Sequence, residues 1–262
     1  MGERPQSSIL DAFSLKGRVA LVTGAARGIG QAASCALAEA GADIALLDRL
    51  DLSESDALVQ ARGRRSAALS RDLTDLTPAA AEAIVADVVT ALGRVDILVN
   101  NAGIIRRGAA ATYAETDWHE TIAINLSATF FLSQAFARLL LARGQPGKII
   151  NVASMLSFQG GTTVPAYAAA KSGIAGITRA LANEWAGQGI NVNAIAPGYM
   201  ATELTSALRA NPERAEPMLA RIPAGRWGDA SDVQGAVVFL SSDAAAYIHG
   251  AILPIDGGWL AS

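Results

Sequence analysis

Short apolar runs alternate with longer segments of helical periodicity along most of this chain. The apolar runs hold few polar positions, which predicts strands that are buried on both faces. Alternation of such strands with helices is typical of a parallel sheet covered on both sides, so the predicted fold class is a doubly wound α/β domain. The predicted strands are residues 19–22, 44–47, 66–69, 95–99, 148–152, 191–196 and 251–255. The predicted helices are residues 29–40, 77–92, 116–143 and 231–241, one that begins near residue 53, and one that contains residue 167.

Turn and cap residues indicate where several helices begin and end. Thr77 and Pro78 are typical of an N-cap followed by proline in the first turn. Ser53 has Asp56 three residues later, which is the spacing of a capping box. Gly41 is placed to end the first helix.

No repeat or linker divides the sequence. Residues 15–262 are therefore predicted to form a single domain, and residues 1–14 a flexible N-terminal tail. Residues 198–228 are rich in proline and charge and are too long for an ordinary connection. This segment is predicted to be a mobile lid over a site.

Composition excludes several classes of function. The chain has 262 residues, of which 51% are hydrophobic and 17% charged, and its net charge is −3, so nucleic acids and anionic membranes are poor partners. It has no run of 18 apolar residues and no signal-peptide layout, which predicts a cytoplasmic protein without a membrane span. The single Cys35 is predicted to lie in the core, and His119 and His249 lack metal-ligand neighbours, so no metal site is expected.

The candidate chemistry begins at the end of the strand at residues 148–152. Ser154 follows this strand, and Pro165 opens an alanine-rich helix that carries Tyr167 and Lys171. Residues four apart lie one above the other on one helix face, so the phenol and the ammonium are expected to be neighbours.

This spacing has a chemical consequence. An ammonium about 4 Å from the phenol, at an effective dielectric of about 20, would favour the phenolate by at most about 4 kcal/mol. We therefore expect Lys171 to lower the pKa of Tyr167 toward the range of a general acid–base, with Ser154 holding the reacting oxygen. The alternative is a packed tyrosine next to a solvated lysine, which is common at this spacing.

A glycine-rich turn at residues 23–30 links the first strand to the first helix. Its spacing, G-x-x-x-G-x-G, suits close approach of a pyrophosphate to the backbone and the helix N-terminus. Asp48, at the end of the second strand, favours NAD over NADP, because a carboxylate accepts ribose hydroxyls and repels a 2′-phosphate. Arg27 and Arg49 favour the opposite choice, and Asp48 would also suit a helix N-terminus.

Taken together, these motifs resemble the classical short-chain dehydrogenase/reductase family over about residues 15–260. The resemblance implies a Rossmann-type sheet of about seven strands and an enzyme that acts on CH–OH groups with a nicotinamide cofactor. The matching positions are residues 23–30, Asn100, Asn101, Ala102, Gly103, Asn125, Ser154, Tyr167, Lys171, Pro197 and Gly198.

The resemblance also implies roles for individual residues. Tyr167 would give or take the proton, Lys171 would lower its pKa and hold the nicotinamide ribose, and Ser154 would orient the substrate oxygen. Asn125 would position a water that links Lys171 to solvent. Members of the family commonly form homotetramers.

Cofactor contacts follow from the same resemblance. Asp72 would meet the adenine, Asn100 and Gly103 the ribose side, and Thr202 the carboxamide. The full set of implied cofactor residues is Gly24, Arg27, Gly28, Ile29, Gly30, Asp48, Asp72, Leu73, Asn100, Ala102, Gly103, Tyr167, Lys171, Pro197, Gly198, Met200 and Thr202.

Residues 101–107, 153–161, 195–202 and 222–228 are similar to the 2-deoxy-D-gluconate 3-dehydrogenase group within the family. This similarity implies a sugar-acid substrate, with gluconate 5-dehydrogenases as close neighbours. Arg106 is the candidate partner for the substrate carboxylate, and a solvated loop residue is its alternative. Gln159, Ser157 and Tyr199 are candidates for hydroxyl contacts, and Met155 is a further candidate for the substrate pocket.

Other functions fit the sequence less well. A serine hydrolase would need G-x-S-x-G around Ser154, and a P-loop NTPase would need Lys-Ser/Thr after the glycine-rich turn; both are missing. A non-catalytic nucleotide-binding sensor would not need Ser154, Tyr167 and Lys171. A 3-oxoacyl thioester reductase stays open, although its preference for NADP disagrees with Asp48.

Overall fold

The computed structural model describes residues 8–262, which form one seven-stranded parallel sheet with the strand order β3-β2-β1-β4-β5-β6-β7. The order changes direction between β1 and β4, which lie side by side although they are not consecutive. In such sheets a crevice opens at the carboxyl ends of these two strands. The strands are β1 (Val19–Thr23), β2 (Asp43–Asp48), β3 (Ser66–Ser70), β4 (Ile97–Asn100), β5 (Gly147–Val152), β6 (Ile190–Pro197) and β7 (Ile252–Ile255).

Helices cover both faces of this sheet, as the alternating pattern predicted. The core therefore has two layers, because successive strand residues point to opposite faces. The helices are α1 (Gly28–Glu39), α2 (Ser53–Gln60), α3 (Pro78–Leu92), α4 (Glu115–Ile122), α5 (Ala128–Arg143), α6 (Pro165–Trp185), α7 (Ser206–Arg209), α8 (Pro212–Ala220) and α9 (Gln234–Ser241).

Strand β1 shows how the layers are divided. Val19 and Leu21 belong to the layer with α3, α5 and α6, whereas Ala20 and Val22 belong to the layer with α1, α2 and α9. The largest fully buried side chain is Phe136, in the first layer. Its replacement by alanine would cost about 3–5 kcal/mol of stability, since the cavity could not collapse fully.

Most of the predicted elements are present, with two local differences. Thr77 caps α3 as predicted, accepting the Ala80 N–H at 3.2 Å. Ser53 is not a cap, because Leu52 is the N-cap of α2 and the Ser53 hydroxyl donates to Asp51 at 2.7 Å. The predicted helix over residues 116–143 is interrupted by a π-helical turn, Ala123–Ser127, between α4 and α5.

The helical stretch Glu115–Arg143 is long and apolar enough to cross a membrane by length and composition alone. However, 56% of its most apolar window is buried inside the protein, where Leu132, Phe136 and Leu140 pack in the first core layer. It is thus a core helix of the domain.

Two segments were predicted to be flexible, the lid at residues 198–228 and the N-terminal tail at residues 1–14. Residues 198–228 contain α7 and α8, and their mobility stays a prediction. Residues 1–7 of the predicted tail lie outside the described residues. The rest of the tail is not loose, because Ile9–Phe13 form a 3-10 helix and the Phe13 ring lies 6.0 Å from that of Phe239.

Candidate active site

A cavity of about 750 Å³ lies where the strand order changes direction, at the carboxyl ends of β1 to β5. Its lining begins at the predicted glycine-rich turn and continues with the residues that follow β2, β3 and β4. Pockets of this size bind cofactor-sized ligands. The predicted cofactor residues that line it are Gly24, Arg27, Gly28, Ile29, Asp48, Asp72, Leu73, Ala102, Gly103 and Thr202.

The glycines of the turn are required by close backbone contacts. A Cβ at Gly30 would lie 2.0 Å from the Gly24 carbonyl oxygen, and one at Gly24 would lie 2.9 Å from the Ala102 Cα. Gly24 and Gly28 also have positive φ values of +65° and +58°, which side chains rarely adopt. Helix α1 is thereby held against the end of β1.

The N-terminus of α1 points its free N–H groups at this cavity. Its N-cap, Arg27, makes no side-chain cap hydrogen bond, and Gly28 and Ile29 line the cavity. Uncapped N–H groups and the helix dipole favour an anion such as a pyrophosphate. The turn therefore fits a dinucleotide cofactor.

One end of the cavity carries both acidic and basic groups. The Asp48 carboxylate accepts N–H groups from Ala26 and Leu50, each at 3.0 Å, and still lines the cavity. Arg49 lies 3.6 Å from Asp72, and hydrogen bonds from Thr74 to Asp72 lower the pKa of that carboxyl group. Arg27, Arg49 and Arg71 line the same cavity, so this end is not purely acidic.

The two asparagines after β4 have different places. Asn101 lines the cavity, and its Nδ2 donates to the carbonyl oxygens of Thr23 and Gly24 at 2.9 and 3.0 Å. Asn100, predicted at the ribose, instead has a buried side chain that donates to Ser133 and Asn151. The reason is strand alternation, because Asn100 shares a sheet face with Leu98 in the first core layer.

Ser154, Tyr167 and Lys171 meet next to Val152, which lines the cavity, although none of the three is itself a lining residue. Ser154 caps a 3-10 turn after β5, accepting the Leu156 N–H at 3.2 Å, and its hydroxyl faces the Tyr167 phenol. The buried Lys171 Nζ lies 5.5 Å from the Tyr167 ring centre and donates to the carbonyl oxygen of Val152, a cavity-lining residue, at 2.6 Å. The structure thus brings together the three residues that the spacing predicted.

The expected direction of the Tyr167 pKa is wrong for this arrangement of groups. Burial raises the pKa of Tyr167 to about 12, although hydrogen bonding with Ser154 and the charge of Arg107 oppose the increase. Burial also lowers the pKa of Lys171 to about 8. The geometry explains the difference, because the ammonium is turned to Val152 and desolvation exceeds the attraction between the two groups.

Asn125 lies in the π turn between α4 and α5 and is almost fully buried. Its amide forms two hydrogen bonds with Ile104: Oδ1 accepts the N–H at 3.0 Å, and Nδ2 donates to the carbonyl at 2.8 Å. A Cβ at Gly103 would lie 2.5 Å from Asn125 Oδ1. Asn125 therefore holds the wall of the cavity, and its predicted water-positioning role stays a prediction.

Two predicted substrate contacts are already used within the protein. The Arg106 guanidinium forms a bidentate ion pair with Glu120, at 2.9 and 3.1 Å, which neutralises its charge, and its contact with a substrate carboxylate stays a prediction. The Ser157 hydroxyl donates to the Lys171 carbonyl at 2.5 Å and accepts the Ser154 N–H at 3.3 Å. Both groups instead stabilise the segments around the site.

Aromatic residues form a wall beside Tyr167. The Tyr199 ring makes edge contacts with Trp227 and Trp259, at centroid distances of 5.5 and 4.9 Å. Tyr199 and Tyr167 pack against one apolar cluster that contains Met155. The predicted substrate residues Tyr199 and Met155 therefore both lie at this wall. Gln159 follows Met155 in the chain, and its contact with the substrate stays a prediction.

Seven predicted cofactor residues do not line the cavity: Gly30, Asn100, Tyr167, Lys171, Pro197, Gly198 and Met200. Pro197 ends β6, Gly198 donates to the Ile255 carbonyl at 2.9 Å, and Met200 lies against Gly228 in a second cavity of about 380 Å³. Gly30 does not face the cavity but allows α1 to pack closely against Gly24. Arg49 and Asn101, which the sequence motifs included, also line the cavity. The lining residues that were not predicted are Leu47, Leu50, Arg71, Ile104, Ile105, Ile124, Val152, Ala201, Glu203, Arg209 and Ala230. Several of these residues are next to predicted residues at strand ends, and this position in the sequence could have indicated that they line the cavity.

The chain as a whole matches known proteins. A family model described as enoyl-(acyl carrier protein) reductase matches residues 24–260. A 2-dehydro-3-deoxy-D-gluconate 5-dehydrogenase from Dickeya dadantii is 52% identical over 253 residues, which cover 97% of this chain and 99% of the relative. The chain belongs to the short-chain dehydrogenase/reductase family, whose members use a nicotinamide cofactor, and it is a dehydrogenase that acts on CH–OH groups.

Two solved structures share the fold at high identity. A proposed 2-deoxy-D-gluconate 3-dehydrogenase from Agrobacterium tumefaciens with bound NADP has a TM-score of 0.91 and 54% identity, covering 96% of this chain and 100% of its own. A proposed NAD(P)-dependent gluconate 5-dehydrogenase from Beutenbergia cavernae with bound NADP has the same TM-score and coverages, and 50% identity. The seven-stranded Rossmann-like fold is thus confirmed.

Proposed function

We propose that this chain transfers a hydride between a nicotinamide cofactor and a secondary alcohol or ketone of a sugar acid. The observation that carries the proposal is the meeting of Ser154, Tyr167 and Lys171 next to Val152, a lining residue of the glycine-lined cavity. A bound nicotinamide supplies the hydride acceptor or donor. The names of the similar dehydrogenases support the sugar acid.

Ser154 and Tyr167 have different roles at the substrate oxygen. Ser154 holds that oxygen by a hydrogen bond, and Tyr167 gives it a proton during reduction or takes one during oxidation. A phenol whose pKa is raised to about 12 by burial is protonated at neutral pH, which is the form that a proton donor needs at the start of reduction. The charges of Lys171 and Arg107 favour the phenolate that reduction leaves behind. We also propose that Asn125 positions a water on the route from Lys171 to solvent.

Both NAD and NADP are proposed as cofactors, with NAD favoured. Asp48 favours NAD because its carboxylate would repel a 2′-phosphate, but Arg27, Arg49 and Arg71 line the same cavity and reduce that repulsion. NADP in both similar structures supports acceptance of the phosphate. Fluorescence titration with NADH and NADPH tests this, and binding of one cofactor only would refute it.

The substrate proposed is 2-dehydro-3-deoxy-D-gluconate or 2-deoxy-D-gluconate, with D-gluconate as an alternative. The similar proteins are named for carbon 5 and for carbon 3, so the reacting carbon must be determined from the product. We would measure cofactor-linked turnover of these acids with both cofactors and analyse the products by NMR. Turnover of a 3-oxoacyl thioester, and of no sugar acid, would replace the proposal.

We further propose a cytoplasmic homotetramer that uses α6 as a contact surface. Ala169 and Gly176 are exposed on this helix, and a Cβ at Gly176 would meet no atom within 4 Å, so another helix could approach closely. Light scattering after size exclusion would measure the assembly. A monomeric mass would refute this part.

A further inference from the structure

The charges of three arginines act on Tyr199 at the aromatic wall. Arg107, Arg221 and Arg214 all oppose the increase that burial causes in the pKa of Tyr199. Within residues 8–262, none of the three forms an ion pair with a carboxylate. Arg106, by contrast, is neutralised by Glu120. This end of the site therefore holds uncompensated positive charge.

The backbone on both sides of Arg107 is held in place. The Tyr113 hydroxyl donates to the Arg106 carbonyl at 3.1 Å, and the Gly108 N–H donates to the Thr163 carbonyl at 2.9 Å. Arg106 reaches toward α4, whereas the charge of Arg107 acts on the phenols of both Tyr167 and Tyr199. Ile105 packs in the apolar cluster that contains Tyr167 and Tyr199, and Gly108 is bonded to the segment that precedes Tyr167, so the backbone of Arg107 lies beside the reacting groups.

Arg221 is positioned by stacking. Its guanidinium carbon lies 4.0 Å from the centre of the Trp259 ring, and Trp259 is buried and contacts Tyr199. A stacked guanidinium keeps its N–H groups free in its own plane, where they suit the two oxygens of a carboxylate. Arg221 is exposed, so these donors are open to a ligand.

We propose that Arg107 and Arg221 together bind the carboxylate of the substrate, with Trp259 and Tyr199 holding Arg221 in place. This inference rests on the proposed function and assigns to this pair the role that the sequence suggested for Arg106. Two guanidinium groups on one wall beside Tyr167 would place the acid end of a sugar acid away from the cofactor. The carbinol carbon would then face Tyr167.

The test uses two substrates that differ at one end. D-gluconate has a carboxylate where D-glucitol has a neutral CH2OH group. We expect Arg107→Gln and Arg221→Gln each to raise the KM ratio of gluconate to glucitol about tenfold or more, as loss of a charge-assisted hydrogen bond would. Arg106→Gln is the matched control and should change the ratio by less than about threefold, because Glu120 already pairs with this arginine.

Calorimetric titration with tartrate, a hydroxy acid, gives a second readout that needs no turnover. Weaker tartrate binding to both variants, with cofactor affinity unchanged, supports the inference. Equal effects on gluconate and glucitol, or unchanged tartrate binding, would overturn it. If the wild-type chain turns over no sugar acid, the proposed function fails, and tartrate binding alone still decides whether this arginine pair binds carboxylates.

Discussion

The nucleotide end of the cavity and its substrate end are built in different ways. At the nucleotide end the shape is set by backbone contacts, such as the 2.0 Å that would separate a Cβ at Gly30 from the Gly24 carbonyl. At the substrate end, side chains from separate segments meet through aromatic edges, as Tyr199 does with Trp227 and Trp259. Backbone contacts leave little freedom to substitute residues, whereas a side-chain wall can change its chemistry without changing the fold.

Substitution of the reacting phenol should give the largest difference between the two ends, with a loss of catalysis and little change in cofactor binding. Tyr167→Phe removes the proton donor and keeps the ring, so we expect kcat to fall about 100- to 10,000-fold. Affinity for NADH should stay within about twofold of the wild type, since the glycine turn is untouched. Steady-state kinetics and fluorescence titration provide the two measurements. Activity within tenfold of the wild type would remove Tyr167 from the mechanism.

Lys171 should give a stability difference that depends on pH. Its pKa is about 8 in the folded protein against an ordinary 10.5, so the folded state releases this proton first as pH rises. Between these values the unfolded chain binds more protons, and the wild type should gain up to about 3 kcal/mol relative to Lys171→Met. Tyr167 acts oppositely only above about pH 10 and is present in both proteins. Urea titrations at several pH values measure this, and a constant difference would contradict it.

The glycine contacts can be tested by a matched pair of alanine substitutions. Gly30→Ala should destabilise the fold by about 1–3 kcal/mol and weaken cofactor binding, because its Cβ has no room beside Gly24. Gly235→Ala, in α9, meets nothing within 4 Å and should stabilise the protein by about 0.5–1 kcal/mol. Denaturant titration of both variants measures the two changes in stability. Similar effects at both positions would mean that the close contact does not matter.

Cofactor choice should change when a single charge at the nucleotide end is removed. Asp48→Ala should move the ratio of NADPH to NADH affinity toward NADPH by about tenfold, since one opposing charge is removed. Arg49→Ala should move it in the other direction by less, because Arg49 is also near Asp72. Titration with both cofactors measures the two ratios. Shifts in the same direction would contradict the balance proposed for this end.

The nucleotide end was largely predictable from the sequence because its determinants are local. A buried strand followed by a glycine turn and a helix specifies where Gly24 and Asp48 lie, whatever the distant residues are. The buried side chain of Asn100 could also have been predicted, since the strand period of two places it on the same face as Leu98. The fold and the cofactor cavity thus followed from periodicity and turn residues.

The substrate end was less predictable because its partners are distant in sequence. Nothing near Arg106 indicates that Glu120 neutralises it, since that ion pair requires α4 to pack beside the loop. The direction of the Tyr167 pKa likewise depends on how much water the folded protein removes, which no spacing of residues measures. Charge partners and desolvation are properties of the assembled fold.

The π turn at Ala123–Ser127 has a consequence for how this domain tolerates insertions and deletions. A π turn holds one residue more than an α turn, so one residue removed here would join α4 and α5 as a regular α-helix. The residues of the turn would then change position, and Asn125 would lose its two hydrogen bonds with Ile104. A single-residue deletion in this turn should therefore inactivate the enzyme while the sheet still forms, whereas the same deletion in an exposed surface loop should be tolerated.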